Sequence, residues 1–550
     1  MLEFLAFLPI IAIIVLLVGF KLPSKKVLPI SFGIAVILAA VFWQMGVVEI
    51  AAFSIMGALN SLNILIIIFG AVLLLNILAF SGGLNAISTS LGKISKDRRI
   101  QLILIGWCFV VFLEGAAGFG TPMALAAPIL VALKFPPLAA VALTLIANST
   151  ANSFGAVGTP TLVQISILEP EVAAAGIANF ASDLPFVVAL IHLGTSLFVP
   201  LILVSVMVLA FGGKNRQGKW RSIVEMLPFA LFAGAAFAIP SVITAYFLGP
   251  EMPSLFGGIF SLIIVGIAAK TGFLVPKSTW HFKERDKWPD DWKATEALRE
   301  KREERSVGLL RAWSPYIIVS IILFVTRLPF LDLRELFRKA SLSVTDIFGV
   351  SGASYTLEWL WLPGTVFIIV ALMTILIHKM SRQMVKSAFK KTTKQVSGAV
   401  IALSFGVALV YLMMNSDVNN SGIIGMMDMI AQTLANIFGP LYIAVAPLIG
   451  SIGSFVSGSN TVSNMLFSTT QFRSAMILGM NPVLISALQT VGGSIGNIIC
   501  IPNIVAASAT VGLPEKAEVP VLKLGIIPVL ILTTSAILTA LGVGSLLGLL

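Results

Sequence analysis

The chain has 550 residues, of which 57% are hydrophobic and 11% charged, and a net charge of +11. A soluble domain carries about 25% charged residues, and several apolar runs here reach the roughly 20 residues needed to span a bilayer. The composition therefore excludes a soluble globular protein and points to an all-α polytopic membrane protein. The excess of Lys and Arg then reads as cytoplasmic-loop charge, not as a nucleic-acid surface. The two cysteines, Cys108 and Cys500, lie in apolar context and supply neither a disulfide framework nor a metal-ligand set. No cofactor is expected.

Taken in order, the first apolar run, Leu5 to Phe20, is followed by Lys21, Lys25 and Lys26. That polarity is the reverse of a secretory signal and predicts a retained helix with its N-terminus outside. Val27–Met45 then leads out and Leu62–Phe80 back in, followed by an amphipathic segment, Ser81–Lys96, ending in basic residues. Gln101–Leu113 and Thr121–Leu133 are each too short to span, so they predict a hairpin (about 101–134) that enters and leaves on the cytoplasmic side. Pro137–Leu168 reads as a broken span ending outside, where Glu169, Glu171 and Asp183 follow without a basic residue. Phe186–Phe211 returns to Lys214–Arg221, and Ile223–Leu248 with Leu255–Val275 forms an out-and-back pair. The densely charged Lys277–Arg311 reads as a solvated cytoplasmic loop without a catalytic pattern. Trp313–Phe330, Trp359–His378 and, after the basic run Lys379–Lys394, Val396–Met414 follow, and with a second broken span and a last span, Val521 to about Leu547, the full spans number about 12.

The order of elements then recurs. Ser81-Gly-Gly is echoed by Ser421-Gly, Glu114-Gly by Ser457-Gly, and Pro137 before the first broken span by Pro482 before a second. The second hairpin (about 440–473) enters, by the loop-charge rule, from the opposite side to the first. This predicts two inverted-topology repeats, residues 1–221 and 313–550, joined by a linker at 222–312, with the second broken helix at about 482–513. Inverted repeats are the plan of many secondary transporters, which bind substrate near the midplane where half-helices meet.

The stretch that anchors a functional reading is Glu114-Gly-Ala-Ala-Gly-Phe-Gly-Thr-Pro122. Between Arg99 and Lys134 the only charged residue is Glu114. A carboxylate at membrane depth must face protein or water, and broken backbone there is tolerated only where it is buried or lines a cavity. Exposed N–H groups at half-helix N-termini bind anions. The breaks offer Gly115, Gly118, Gly120, Thr121, Asn148, Ser149, Thr150, Asn152 and Ser153 in one half, and Ser457, Gly458, Ser459, Asn460, Thr461, Asn464 and Asn497 in the other. Small hydroxyl and amide donors of this kind suit a carboxylate or a hydroxy acid. Glu114 is a candidate carrier of a coupling proton, or a permanently ionised and paired anion. His192 is the other mid-span group that titrates near neutral pH. Arg473 and Lys134 each follow a hairpin, placed to draw in an anion or to snorkel to the interface. Two other classes remain: an intramembrane enzyme, whose one candidate nucleophile–base pair is Ser457 with His192, and a channel, which closed hairpins argue against.

The Glu114 motif, the Asn148-Ser-Thr stretch with Gly158-Thr-Pro, Ser457-Gly-Ser-Asn-Thr and Gly496-Asn-Ile-Ile-Cys-Ile-Pro-Asn together resemble the L-lactate permease family over essentially the whole chain. The resemblance implies proton-coupled uptake of L-lactate, and often D-lactate and glycolate, across a bacterial inner membrane. The Ser459-Asn-Thr tip is also similar, more remotely, to the hairpin tips of dicarboxylate–sodium symporters in the wider ion transporter superfamily, which implies elevator-type movement. The first hairpin lacks that triplet, which weakens the transfer of the sodium-site logic, and sodium coupling is kept as the alternative to proton coupling. The partners expected are a small monocarboxylate, protons and the lipid bilayer, and a homodimer is left open.

Overall fold

The structure is a computed structural model and describes residues 2–549 apart from 21, 93, 119, 213–215, 294–306, 327–330, 332 and 515–516. Lys21, Lys93, Lys214 and the stretch 294–306, on which part of the loop-charge reading rests, lie outside the described residues, as do Phe119 at the first hairpin tip and Phe330.

Among the described residues, 11 helices are long and apolar enough to cross a membrane, or 12 when the bent pair Pro137–Ala147 and Ala151–Ala174 is taken as one span. The longest are Val47–Ser81, with 35 residues, and Arg382–Met414, with 33. At 1.5 Å per residue each is about 50 Å long, well beyond the roughly 30 Å hydrocarbon layer. They run antiparallel: Gly57 lies on the backbone at Ala408, the Ser61 and Ser404 hydroxyls are 3.1 Å apart, and Asn76 Nδ2 donates to Thr392 Oγ1 (3.0 Å) and Gln395 Oε1 (2.7 Å). Lipid gives helices no hydrophobic reason to associate, so small residues at the seam and polar pairs across it hold them.

Several boundaries differ from the sequence reading. The span expected at Leu62–Phe80 begins at Val47, because Gly46 turns the chain and no Pro or Gly pair interrupts the helix beyond it. Phe186–Phe211 is two helices, Phe180–Ser196 and Val199–Phe211, separated just before Pro200, whose ring removes a helical N–H. A two-stranded antiparallel ribbon, Leu342–Val344 with Tyr355–Leu357, precedes the helix Pro363–Ile377; its three-residue strands fall below what alternation can reveal.

Both hairpins form. The first arm of the first is continuous over Arg98–Ala117, fully buried and 20 residues long, so length alone does not stop it from spanning. The chain nevertheless returns. Leu130 of the second arm, Thr121–Ala132, faces Gly106, and the Arg98 guanidinium stands 6.0 Å over the Phe135 ring, so the two ends meet. The second hairpin, Tyr442–Ser457 and Asn460–Ile477, is pinned by Ser463 Oγ donating to Gly450 O (2.7 Å) and Gln471 Nε2 donating to Ala446 O (3.0 Å). The pair Leu227–Leu248 and Pro253–Thr271 does more than join two halves. Gly258 packs on Phe112 and Gly115 on the Ser254–Leu255 backbone, which leaves no room for a Cβ at either glycine.

Candidate functional site

Each hairpin tip and each helix break is built by identifiable residues. At the first tip Gly118 adopts φ 53°, ψ −152°, a region only glycine enters at low cost, and Gly120 follows at φ 74°. The second tip turns at Gly458 (φ 81°), and Ser459 caps the next helix by accepting from Val462 N (3.4 Å). The first broken span carries three consecutive left-handed residues, Ala156, Val157 and Gly158. For a β-branched residue such as Val157 this is a genuine outlier, and such strain persists only where the surroundings over-determine it. They do so here: Gly158 abuts the Pro250 carbonyl, Gly155 has the Glu114 carboxyl where a Cβ would stand, and Thr161 Oγ1 donates to Ser153 O (2.8 Å). The second broken span passes from Pro482–Gly496 through a tight turn, Asn497–Ile499, into Ile501–Thr510, with Pro502 at its start.

The four breaks converge. A Cβ on Gly118 would lie 3.0 Å from Ala156, one on Gly120 3.4 Å from Asn503 Oδ1, and one on Gly458 3.2 Å from Pro502. Between them is a cavity of about 130 Å³ lined by Glu114, Gly118, Gly120, Asn152, Gly458, Ser459, Asn460, Thr461 and Asn497, all expected from sequence, together with Gly155, Ala156, Pro160 and Asn503. Its one charged lining side chain, among the described residues, is Glu114. The helix Asn460–Ile477 presents its N-terminus there, and 18 residues of aligned peptide dipoles favour an anion at that end.

The remaining expected residues sit behind this surface. Asn148 faces Glu114. Its amide nitrogen is turned to that carboxyl, while Asn148 Oδ1, Glu114 Oε2, Ser149 Oγ and Thr150 Oγ1 are buried without hydrogen-bond partners among the described residues. Buried polar atoms are ordinarily paired, so this group of orphans beside the cavity is the first half's most unusual chemical feature. Ser153 Oγ is 2.7 Å from His192 Nε2, and His192 Nδ1 is 3.2 Å from Thr195 Oγ1. His192 thus supports the broken span and borders a separate pocket of about 10 Å³ with Thr150. Ser457 Oγ donates to Gly453 O (2.7 Å). Ser457 and His192 therefore have separate partners, and the pair an intramembrane hydrolase needs does not form. Gly115 serves packing, and the Thr121 side chain lies outside the described residues.

Asn464 Nδ2 donates to Pro160 O (3.1 Å) and Thr490 Oγ1 (2.9 Å), Asn460 Nδ2 to Thr490 O (3.1 Å), and Ser153 Oγ to the same carbonyl (3.2 Å). Gln164 Nε2 donates to Ser486 O (2.8 Å), and its Oε1 accepts from Thr490 Oγ1. Gln489 Nε2 donates to Ser463 Oγ (3.1 Å) and its Oε1 accepts from Gln471 Nε2 (2.9 Å). The bonds of Ser153, Pro160 and Gln164 cross-link the two halves behind the cavity, and the rest tie the second hairpin to the second broken span. Sequence reasoning passed over Gln164, Gln471, Gln489, Thr490 and Asn503. For the glutamines the available signal was an uncharged amide inside an apolar tract, and Asn503 closes the Gly496–Asn503 break motif without having been singled out.

Arg473 is not free to receive an anion. Its Nε and Nη2 hold Glu171 (3.1 and 2.6 Å) and its Nη1 lies 2.9 Å from Asp428. Lys134, exposed and left-handed (φ 65°), closes the base of the first hairpin.

Comparison with known proteins finds relatives along almost the whole chain. The chain is 32% identical to a Haemophilus influenzae relative over 98% of its own length and 97% of that protein's. It is 30% identical to the L-lactate permease of Streptococcus iniae (88% and 93% covered) and 28% to that of Escherichia coli (93% and 90%). The crystal structure of the Alcanivorax borkumensis YdaH transporter aligns over 90% of this chain and 88% of its own, at 14% identity and a TM-score of 0.45, too distant to carry an argument. The family model described as L-lactate permease matches residues 3–546. The chain belongs to the L-lactate permease family.

Proposed function

We propose that this chain is a secondary active carrier that imports L-lactate and related small 2-hydroxy monocarboxylates, D-lactate and glycolate among them, by proton symport across a bacterial inner membrane. The relatives' names support the substrate. The observation that carries the coupling is the charge balance of the cavity: Glu114 is its one charged lining side chain among the described residues. A substrate carboxylate seated on the N-terminus of Asn460–Ile477 would share the space with that carboxyl. Two uncompensated negative charges in a buried site are costly, so anion and proton enter together. After delivery of both, the site returns to its starting charge. Glu114 is the proton-carrying group in this scheme, and His192 positions Ser153.

The succession of long helix, hairpin, broken span and closing helix occurs in both halves, and by loop charge the second copy runs in the opposite sense. We read this as an inverted repeat with the N-terminus outside, the cavity at its pseudo-symmetric centre, and elevator-type movement of the hairpins and broken spans. Cysteine labelling tests the orientation, because the native Cys108 and Cys500 are both buried. A Lys386→Cys protein should react only from the cytoplasmic side, and reaction from outside sinks the inversion.

One observation favours a second reading, sodium coupling. The orphaned oxygens of Glu114, Asn148, Ser149 and Thr150 are the ligand type a hard cation takes. Lactate uptake into proteoliposomes, with proton and sodium gradients imposed separately, decides. Proton symport requires accumulation under an inward proton gradient in sodium-free buffer. Accumulation under a sodium gradient alone overturns it.

A further inference from the structure

We propose that Asn503 reads the substrate's 2-hydroxyl group and so sets the preference for hydroxy acids over unsubstituted and 2-oxo acids. This deepens the carboxylic-acid reading above and rests on it. Asn503 Nδ2 donates to Gly458 O (3.3 Å) and to Asn497 Oδ1 (2.5 Å). A backbone carbonyl can only accept, so the contact with Gly458 fixes which way the amide points, and both of its hydrogens are committed. Oδ1 is left facing the first hairpin's tip at Gly120, with no hydrogen bond to a described residue.

Three other acceptors near the cavity are placed differently: Asn497 Oδ1 is taken by Asn503, Ser459 Oγ by Val462 N, and Asn460 Oδ1, though without a hydrogen-bond partner among the described residues, is turned to where a Cβ on Gly493 would be. Asn503 thus offers a pre-oriented neutral acceptor, held by the second hairpin's tip and aimed at the first. A carboxylate, an acceptor itself, gains nothing from such a group and pairs with helix N–H groups instead. A hydroxyl on the adjacent carbon can donate to it. A ketone or a methylene cannot, and would leave the acceptor buried and unpaired. Sites built to hydrogen-bond a substrate hydroxyl reject analogues that lack it for this reason.

The test is competition by L-lactate, glycolate, propionate and pyruvate for labelled L-lactate, on the purified full-length wild-type protein and on Asn503→Leu and Asn503→Asp. The wild type should bind L-lactate and glycolate about tenfold or more tighter than propionate and pyruvate. Asn503→Leu should bring the four affinities within about threefold of one another, chiefly by weakening the hydroxy acids. Asn503→Asp, which keeps an acceptor, should retain the order even at lower overall affinity. A purely structural role for Asn503 would weaken all four acids equally and leave the ratio intact, and that outcome overturns the proposal. Equal wild-type affinities for lactate and propionate overturn it with no variant needed. A wild-type protein that binds none of the four sinks the transport reading itself, a result distinct from either.

Discussion

The two hairpins occupy equivalent positions in their halves and meet at one cavity, yet they are built from opposite chemistry. The first brings a carboxyl and glycines: Glu114 in the last turn of the first arm, backbone turns at Gly118 and Gly120, and a second arm with no side-chain cap. The second brings hydroxyls and amides: Ser459 capping a helix whose first residues, Asn460 and Thr461, line the site. The bases differ too. Arg99 at the start of the first hairpin is completely buried. It holds Asp97 at 2.7 Å and donates to the carbonyls of Ser222 (3.0 Å) and Ser278 (2.6 Å). Arg473 near the end of the second is 16% exposed and clasps Glu171 and Asp428. On the reading proposed above, one half suits an ion and the other an organic anion.

The sharpest way to break that division is Glu114→Gln. Gln keeps hydrogen-bonding capacity and removes the charge. The variant should bind lactate and exchange it across the membrane, yet lose accumulation driven by an imposed pH gradient, by on the order of a hundredfold, roughly 2.7 kcal/mol at RT ≈ 0.59 kcal/mol. Undiminished accumulation would move the proton to another group, with His192 next in line. The hairpin bases should differ next. Arg99→Met strands Asp97 in the interior and should cost about 3–5 kcal/mol of stability. Arg473→Met leaves two carboxylates that still reach solvent and should cost less. Thermal unfolding in detergent ranks them, and an equal or reversed order contradicts the burial argument.

At the tips, Gly118→Ala should impair transport more than Gly458→Ala. Alanine at φ 53°, ψ −152° is strained by about 1–3 kcal/mol and crowds Ala156 at 3.0 Å. At φ 81°, ψ 9° it meets the milder left-handed penalty of about 1–2 kcal/mol. Initial uptake rates of the two variants, normalised to the amount inserted, give the comparison.

Much of this was legible in the sequence because membrane depth makes polar residues and helix breakers expensive. Glu114 and the Gly, Asn and Ser clusters had to be explained, and nine of the expected residues line one cavity. Charge along the loops likewise marked the helix pairs. What stayed hidden is of two kinds. Gln164 and Thr490 sit in helices whose hydropathy they barely dent, and only folding reveals that they meet across the halves, while Gln489 braces the second hairpin from within its own half. The length of the first hairpin's initial arm misled in the other direction. Hydropathy counts residues, whereas the return of the chain is fixed by the contact of Arg98 with Phe135 and by left-handed glycines at the tip.

The smallest expected effect is also the cleanest test of the division. Ser459 has no counterpart in the first hairpin, where the cap position is Gly120. Its hydroxyl satisfies one N–H at the start of Asn460–Ile477, and its removal should loosen the first turn by about 1 kcal/mol. The proposed scheme seats the substrate carboxylate on that turn, so Ser459→Ala should weaken lactate binding about fivefold, the same energy read as affinity. The proposed proton carrier, Glu114, lies on the other hairpin, so the pH at which uptake is half-maximal should stay where it is in the wild type. Glu114→Gln should do the converse, sparing affinity while flattening the pH dependence. Uptake measured across lactate concentration and external pH separates the two. If Ser459→Ala shifts the pH profile and leaves affinity untouched, substrate and proton are not handled by different hairpins, and the two tips act as one site.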